Sequence, residues 1–381
     1  MWREKLKMLN YKCGMLNALF DRMDRIIIDS KIYTRDNLSE IENESVRDFL
    51  IEWFSDSPTV NLHTSGSTGV PKLIVAEKSR MIASAKMTLD YLGLKPGDTA
   101  LLCLSVNYIA GKMMIVRAIV GGLNLLMGDL SSNPLQNEER HIDFAAMVPL
   151  QVYNSFRDNN GRFSRIGKVI IGGGAIDRNE ENFYSTLPNE IYATYGMTET
   201  LSHIAMRRIN GDKRSPYFTP MDGVDVKVKE ENGENIGTLV INAPRLCAET
   251  LYTNDNVEMR SDGTFRILGR KDNVVCSGGI KLQIEEIEAK LANVIHVDFA
   301  ISSKPDEKLG EKLVLVIEDS KERHVATSSS ALLSSYLGFD LTACLEKYEI
   351  PKEVFYILHL PRTESGKIAR AKLKQMLSEN K

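Results

Sequence analysis

The sequence predicts an α/β fold with a large N-terminal domain and a small α+β C-terminal domain. Short apolar runs such as Lys168–Ile171 alternate with helix-like segments such as Ser79–Leu92, and this alternation is typical of parallel-rich sheets. From Asp225 onwards short β-rich pieces follow one another, which predicts a β-rich subdomain within the large domain. We therefore expect domains at 1–268 and 269–381.

The individual elements follow from apolar spacing and from end signals. Thr99–Leu104 is a short apolar run that predicts a buried strand, whereas Ser79–Leu92 predicts a helix with Ser79 as its N-cap and Gly93 at its end. In the C-terminal domain Gln283–Ala292 predicts an amphipathic helix whose glutamates form a solvated face. Its apolar face is Ile284, Ile287 and Leu291. The expected elements after it are a strand at Leu313–Ile317, a helix at Ala331–Leu345 and a strand at Val354–Ile357.

Composition excludes several classes of protein. The 381 residues carry 48 Lys and Arg against 51 Asp and Glu, a net charge of -3, which argues against a protein that coats nucleic acid. The sequence has five cysteines but no C-x-x-C pair, so it indicates neither a disulfide framework nor a zinc site. Met113–Met127 is too short and too interrupted to span a bilayer, and no signal-peptide core is expected. We expect a cytoplasmic protein without membrane insertion, and the sequence leaves a homo-oligomer open.

The most informative segment is the loop between two apolar runs at His63–Lys72. Glycines let backbone N–H groups approach a phosphate, hydroxyls donate to its oxygens, and Lys72 supplies a mobile charge. The common P-loop spacing fails, because Pro71 stands where its second glycine should be. We expect a phosphate-binding loop, with a Ser/Gly-rich hairpin turn as the alternative. Its candidate binding residues are Thr64, Ser65, Gly66, Ser67, Thr68, Gly69 and Lys72.

Two further motifs follow apolar, strand-like segments. Gly172–Gly174 comes directly after Ile171, and by itself it is no more than a strand-to-helix turn, because Asp177 breaks the dinucleotide pattern. The second motif is Tyr195-Gly196-Met197-Thr198-Glu199-Thr200. In it the aromatic ring can stack on a purine, the glycine allows a tight turn, the first threonine can donate to a phosphate, and the glutamate can hold Mg²⁺.

Three C-terminal features complete the set of candidate residues. Asp255 and Arg270 can bind a ribose diol as acceptor and donor, with a surface salt bridge as the alternative. Gly278 and Gly279 suit a path along which a narrow ligand passes the backbone, with an ordinary β-bulge as the alternative. Lys367 ends a turn with the sequence P-R-T-E-S-G-K.

These motifs, in this order, resemble those of the adenylate-forming superfamily of acyl-CoA synthetases, peptide-synthetase adenylation domains and luciferases. The resemblance extends from Thr64 to Lys367. It implies an acid–thiol ligase that uses ATP, Mg²⁺ and coenzyme A and forms an acyl-adenylate from a small carboxylic acid. It also implies that Gly173 and Gly174 offer a backbone edge to the adenine ring and that Lys367 is catalytic. The C-terminal domain would then be mobile, with a hinge near Lys271–Asp272.

The resemblance assigns a role to each remaining candidate. Lys72, Thr198, Glu199 and Lys367 are the expected catalytic residues, and Glu199 is the expected metal ligand. The nucleotide and CoA are expected to contact the Thr64–Gly69 loop, Gly173, Gly174, Tyr195, Gly196, Asp255, Arg270, Gly278 and Gly279. A non-catalytic nucleotide-binding relative is the alternative function, and the presence of both Glu199 and Lys367 argues against it.

Departures from the superfamily pattern point to one subfamily. Asn254 replaces the usual glycine before Asp255, the run Asp272–Gly279 is distinctive, and the chain is compact, with a shortened region before Thr64. These details resemble o-succinylbenzoate–CoA ligases of menaquinone biosynthesis. Delivery of the acyl group to a carrier protein and another carboxylate–CoA ligase remain alternatives.

The predicted acyl pocket has three candidate substrate-binding residues. Tyr108 stands at the expected gating position, and Lys112 and Arg117 follow it on a predicted helix. A cation in the pocket would recognise the second carboxylate of a dicarboxylic acid. For Arg117 the alternative is a solvent-facing position on an amphipathic helix.

Overall fold

The computed structural model describes residues 23–63, 73–158, 161–174, 176, 178–230, 235–326, 329–363 and 368–379. These fall into two compact units. Unit 1 takes the described residues within Met1–Ala175, Tyr184–Asp225 and Asn242–Thr250, and unit 2 takes those within Ile176–Phe183, Val226–Ile241 and Leu251–Lys381. The predicted division at 268/269 and the hinge near Lys271–Asp272 stay predictions.

The described part of unit 1 contains eleven strands. They are β1 Arg25–Ile28, β2 Lys31–Thr34, β3 Thr59–His63, β4 Leu73–Glu77, β5 Thr99–Leu102, β6 Asn124–Met127, β7 Ile142–Met147, β8 Ile166–Ile171, β9 Glu190–Gly196, β10 His203–Arg208 and β11 Thr219–Pro220. Its main helices are α1 Glu44–Phe54, α2 Lys78–Leu92, α3 Ile109–Gly121 and α4 Pro149–Arg157, whereas α5 Arg178–Tyr184 belongs to unit 2 except for Tyr184.

Nine of these strands form one sheet in the order β11-β10-β9-β8-β7-β5-β6-β1-β2. The pairs from β9 across to β1 are parallel, and antiparallel strands flank them at both edges. Ala100, Leu101 and Leu102 of β5 are at most 1% exposed, as expected for a strand covered on both faces. The predicted parallel-rich α/β architecture is confirmed.

Helix α2 agrees with its predicted extent but not with its predicted cap. It begins at Lys78, and the residue at the cap position is Glu77, which makes no side-chain capping bond. The prediction that Ser79 caps the helix is wrong, because Ser79 already lies inside its first turn. Gly93 ends the helix in the left-handed conformation, with φ of 63°, as predicted.

Unit 2 is built mainly from strands. They are β12 Asp225–Glu230, β13 Ile236–Asn242, β14 Leu251–Met259, β15 Phe265–Arg270, β16 Val274–Ser277, β17 Ile280–Gln283, β18 Phe299–Asp306, β19 Gly310–Glu318, β20 Arg323–Ala326 and β21 Glu353–Ile357. β12–β15 form a four-stranded sheet and β16–β21 form a second sheet of six strands. The helices are α6 Ile284–Leu291, α7 Ser330–Leu337 and α8 Arg370–Glu379.

The predicted elements of unit 2 are mostly present. The apolar face of α6 is buried as expected, with Leu291 fully inaccessible. One glutamate of this helix is not solvated, because Glu288 forms two contacts of 3.0 and 2.6 Å with Arg370 of α8 and accepts from Ile301 N at 2.8 Å. Burial raises the pKa of Glu288 more than Arg370 lowers it. The expected helix at Ala331–Leu345 is too long, since Gly338 ends α7 with φ of 80°.

Candidate active site

The residues on either side of the predicted phosphate-binding segment lie in paired strands. β3 and β4 pair antiparallel, and the residues at their ends, His63 and Leu73, face each other in the register. The candidates Thr64, Ser65, Gly66, Ser67, Thr68, Gly69 and Lys72 lie outside the described residues. Lys367 does too, and Arg362 and Ile368 form a bridge on either side of it.

The Gly172–Gly174 and Tyr195–Thr200 motifs emerge from neighbouring parallel strands. Ile171 of β8 pairs with Ala193 of β9, so the two motifs leave the sheet at the same carboxyl edge. A Cβ on Gly172 would lie 2.8 Å from the Thr194 hydroxyl, which in turn donates to Ile171 O at 3.0 Å. Ligands of open α/β sheets bind at this edge. The structure therefore places Gly172–Gly174 and Tyr195–Thr200 at one edge of the sheet, and their joint binding of a nucleotide stays a prediction.

The Tyr195–Thr200 segment turns tightly back onto the sheet. A Cβ on Gly196 would lie 2.3 Å from Ser202 O, so the close approach of these two backbones requires glycine. Tyr195 is only 9% exposed, and its ring packs edge-on against Phe218 with centroids 6.1 Å apart. Stacking of Tyr195 on adenine therefore stays a prediction, and it would use only a small uncovered part of the ring.

Glu199 fits the predicted metal ligand by its position and chemistry. It lies in the short 3-10 helix Thr198–Thr200, its side chain is exposed, and among the described residues no cation forms a salt bridge with it. Within the described ranges no cluster of three or more metal-ligating residues occurs. This arrangement suits Mg²⁺, which is commonly held by one or two carboxylates together with substrate phosphates.

Asp255 and Arg270 are paired in unit 2. They face each other across β14 and β15, and Arg270 Nη1 lies 3.2 Å from Asp255 Oδ1. The Asp255 side chain is 12% exposed and the Arg270 side chain 49%. Arg270 also contacts Asp272 at 2.8 Å. Asn254 lies within β14 and does not have a positive φ.

Gly278 and Gly279 form the two-residue turn between β16 and β17. Their φ angles are 60° and 83°, and Ser277 pairs with Ile280 on either side. Two consecutive positive φ angles define the hairpin turn for which glycine is the preferred residue. The alternative of a β-bulge is wrong, because the strands on both sides pair without a shift. A Cβ on Gly279 would meet nothing within 4 Å, so the turn is open on that side.

Tyr108 and Lys112 occupy different surroundings around α3. Tyr108 stands just before the helix and is 42% exposed. Lys112 is 8% exposed, its Nζ donates to Asn61 O at 2.7 Å, and it lies 5.2 Å above the Phe49 ring. Burial lowers the pKa of Lys112. Their substrate-binding roles stay predictions.

Arg117 is buried rather than solvent-facing, so that alternative is wrong. The residue is 2% exposed, with Nε 3.2 Å from Thr88 Oγ1 and Nη2 2.7 Å from Ser202 Oγ. Its Nη1 reaches Met114 Sδ at 3.7 Å, and among the described residues no carboxylate lies within salt-bridge distance of it. Burial lowers the pKa of Arg117 to about 9, so the guanidinium remains charged at neutral pH.

Sequence reasoning missed the residues that surround Arg117. Ser202 and His203 come directly after the Tyr195–Thr200 motif, and this adjacency was the one available signal. His203 Nε2 lies 2.9 Å from Thr88 Oγ1, and burial together with the Arg117 charge holds the pKa of His203 well below its usual range. Thr88 carries no signal, because an apolar-spaced helix such as α2 does not indicate which polar residue faces inward.

Known proteins are similar to this chain over most of its length. Residues 22–248 match the family model of AMP-binding enzymes. The 2-succinylbenzoate–CoA ligase of Lactococcus lactis subsp. lactis (strain IL1403) is 26% identical over 93% of this chain and 82% of that protein. Another 2-succinylbenzoate–CoA ligase, from Geobacillus sp. (strain WCH70), is 24% identical over 94% of this chain and 76% of its own length.

Two solved structures are also similar to this chain. An AMP-forming acyl-CoA synthetase/AMP-acid ligase II-like protein from Dyadobacter fermentans is 35% identical, covers 89% of this chain and 96% of its own, and gives a TM-score of 0.58. The o-succinylbenzoate–CoA synthetase of Bacillus subtilis, in complex with its acyl-adenylate intermediate, gives 0.69 at 21% identity over 82% and 68% of the two chains. The similarity to the Bacillus subtilis structure is evidence for a shared fold only. With a family match over more than half of its length and the family's motifs in order, this chain belongs to the AMP-binding enzymes.

Proposed function

We propose that this protein is an AMP-forming carboxylate–CoA ligase that converts 2-succinylbenzoate, ATP and CoA into 2-succinylbenzoyl-CoA, AMP and pyrophosphate. The reaction class is supported by family membership and by relatives that are named as such ligases. We place the reaction in menaquinone biosynthesis and in the cytoplasm. The described cysteines are free, one of them exposed, as a reducing compartment allows.

The observation that carries the substrate proposal is the buried charge of Arg117. A cation without a carboxylate partner in a low-dielectric surrounding costs free energy unless an anion compensates it. Ser202, which accepts from Arg117, packs against Gly196 at the candidate site. A diacid keeps one carboxylate after the other has been activated, and that remaining carboxylate would supply the compensating charge.

In the first half-reaction we propose that the acid's carboxylate attacks the α-phosphate of ATP and pyrophosphate leaves. Two anions must approach each other, so Lys72 and Lys367 would offset the repulsion and stabilise the charge of the leaving group. Thr198 would donate to the α-phosphate and Glu199 would hold Mg²⁺, which neutralises phosphate charge when it is bound. Asp255 and Arg270 would fix the ribose.

In the second half-reaction we propose that the thiol of CoA displaces AMP from the acyl-adenylate. The C-terminal domain would rotate at Lys271–Asp272, withdraw Lys367 and bring the Gly278–Gly279 turn to the site. This turn presents backbone without side chains, which suits the narrow pantetheine arm of CoA.

The test is ATP–pyrophosphate exchange across a panel of carboxylic acids, followed by thioester formation with CoA. We expect 2-succinylbenzoate to give a higher kcat/KM than benzoate, acetate or long-chain fatty acids. If a monocarboxylic acid gives the highest value, the substrate proposal is wrong although the reaction class stands. Absence of exchange with every acid would refute the reaction class.

A further inference from the structure

One residue of β3 is held by two charged side chains that come from helices of unit 1. Asn61 N donates to Glu52 Oε1 of α1 at 2.8 Å, and Asn61 O accepts from Lys112 Nζ of α3 at 2.7 Å. The N–H and C=O of one residue point to the same side of a strand. Both charged groups therefore lie along the edge of β3 that faces away from β4.

This edge depends on side chains because, within the described residues, β3 and β4 form a sheet of only two strands. A pair of strands is marginally stable on its own in water, and backbone groups at a free edge need partners. The inner face of the pair is well packed, with Val60 and Leu62 at most 1% exposed. Glu52 and Lys112 add a second constraint, which fixes β3 along its edge.

Lys112 is itself held firmly. It is 8% exposed, and its Nζ lies 5.2 Å above the Phe49 ring in a cation–π contact. Burial lowers the pKa of Lys112, whereas the negative charge of Glu52 acts in the opposite direction. A buried ammonium that leaves its acceptor loses a charged hydrogen bond, which is costly. We therefore expect Lys112 to stay on Asn61 O when a substrate binds.

The place of Asn61 in the strand connects this contact with the candidate site. Asn61 lies two residues before His63, the last residue of β3, and the predicted phosphate-binding segment begins at Thr64. Hydrogen bonds weaken steeply with distance and angle, so a small displacement of the binding groups costs much affinity. A shift of β3 at Asn61 would displace the strand directly before that segment.

We propose that Lys112 and Glu52 are positioning residues, which hold β3 at Asn61 and so fix its His63 end for binding of the phosphates of ATP. This inference rests on the proposed function and deepens it. It gives Lys112 a role in nucleotide binding, in place of the contact with the carboxylic acid that the sequence predicts.

The experiment measures by calorimetry how much the phosphates add to nucleotide affinity, as the ratio of the Kd for adenosine to the Kd for ATP. Lys112→Met keeps an unbranched chain on the Phe49 ring but removes the donor to Asn61 O. We expect this ratio to fall about 10- to 100-fold, the range for a hydrogen bond from a charged group, while the Kd for adenosine stays unchanged. Glu52→Ala should also lower the ratio. The two losses should not add in the double variant, because both act through Asn61.

Lys78→Met is the matched control. Lys78 Nζ donates to Ser55 O at 2.8 Å and lies 6.0 Å above the Trp53 ring, so Lys78 makes the same kinds of contact as Lys112. It directly follows Glu77, which pairs with Thr59 at the end of the two strands opposite His63. We expect Lys78→Met to change the ratio by less than about 3-fold. An equal fall in both lysine variants would contradict the inference.

Three further results would overturn the inference. Equal losses of affinity for adenosine and ATP in Lys112→Met would indicate a general structural role. An unchanged nucleotide ratio with an altered preference for 2-succinylbenzoate over benzoate would make Lys112 a contact of the acid. A wild type that binds adenosine as tightly as ATP would show that the phosphates add nothing.

The outcome does not depend on turnover. Absence of exchange with every acid refutes the reaction class alone, and the ratio of the two Kd values still decides on Lys112. If Lys112→Met does not fold, Glu52→Ala decides by the same ratio.

Discussion

Replacing Asp255 by alanine should weaken ATP binding about 30-fold by removing the acceptor half of the ribose clamp. The Asp255 carboxylate is largely buried, at 12% side-chain exposure, and is held against Arg270 at 3.2 Å. A hydrogen bond to a charged group contributes about 1.5–3 kcal/mol. A net loss of about 2 kcal/mol corresponds to about 30-fold in Kd.

The structure indicates that this substitution will not unfold the protein. Arg270 keeps its second carboxylate, Asp272, at 2.8 Å, so no unpaired guanidinium is left behind. Asp272→Ala is the matched control, because it removes the other carboxylate that contacts the same arginine. We expect Asp272→Ala to change the Kd for ATP by less than about 3-fold, as for an exposed ion pair.

The assay is isothermal titration calorimetry with ATP and with 2′,3′-dideoxyATP. If Asp255 binds the ribose hydroxyls, the variant and the wild type will bind the dideoxynucleotide with equal affinity, since the two deletions remove the same contact. An equal loss of affinity for both nucleotides in Asp255→Ala would show that the clamp does not exist. Unchanged binding of ATP would lead to the same conclusion.

Three further predictions concern the half-reactions and pH. Lys367→Ala should slow adenylate formation about 100-fold or more yet still transfer a preformed acyl-adenylate to CoA, because its charge is needed only while pyrophosphate leaves; parallel loss of both steps would contradict this. Gly279→Leu should block thioester formation and spare pyrophosphate exchange. Gly279→Asn should retain more acyl transfer to CoA than Gly279→Leu, because asparagine tolerates the positive φ of 83° better than leucine. An equal loss of transfer in the two variants would indicate backbone strain rather than a blocked path. Burial and Arg117 hold the pKa of His203 below its unfolded value, so as pH falls below about 6.5 the unfolded state binds a proton that the folded state does not. As the pH falls, the wild type should therefore lose up to about 1.4 kcal/mol of its free energy of unfolding per pH unit relative to His203→Gln. The measurement is urea unfolding of both proteins from pH 7.5 to 5.5. If the free energies of unfolding of the two proteins depend on pH in the same way, this prediction is wrong.

Local chemistry in the sequence was sufficient to predict most of the fold and part of the candidate site. The alternation of buried strands and helices predicts the parallel sheet, because each signal depends on a few neighbouring residues. The Tyr195–Thr200 motif was recognised for the same reason, since its glycine, threonine and glutamate have chemical roles at fixed spacing. Where local signals compete, the predictions failed. Ser79 is a favourable cap residue by type, yet the helix begins one residue before it.

The surroundings of Arg117 could be known only from the tertiary structure. Thr88, Arg117 and His203 are far apart in the chain and meet because α2, α3 and β10 pack around one buried point. The sequence alone identified a cation on a helix and left open whether it faced solvent. Its burial and its neutral partners are properties of packing. Nothing in the local sequence encodes them, because they depend on which distant side chains fill the same space.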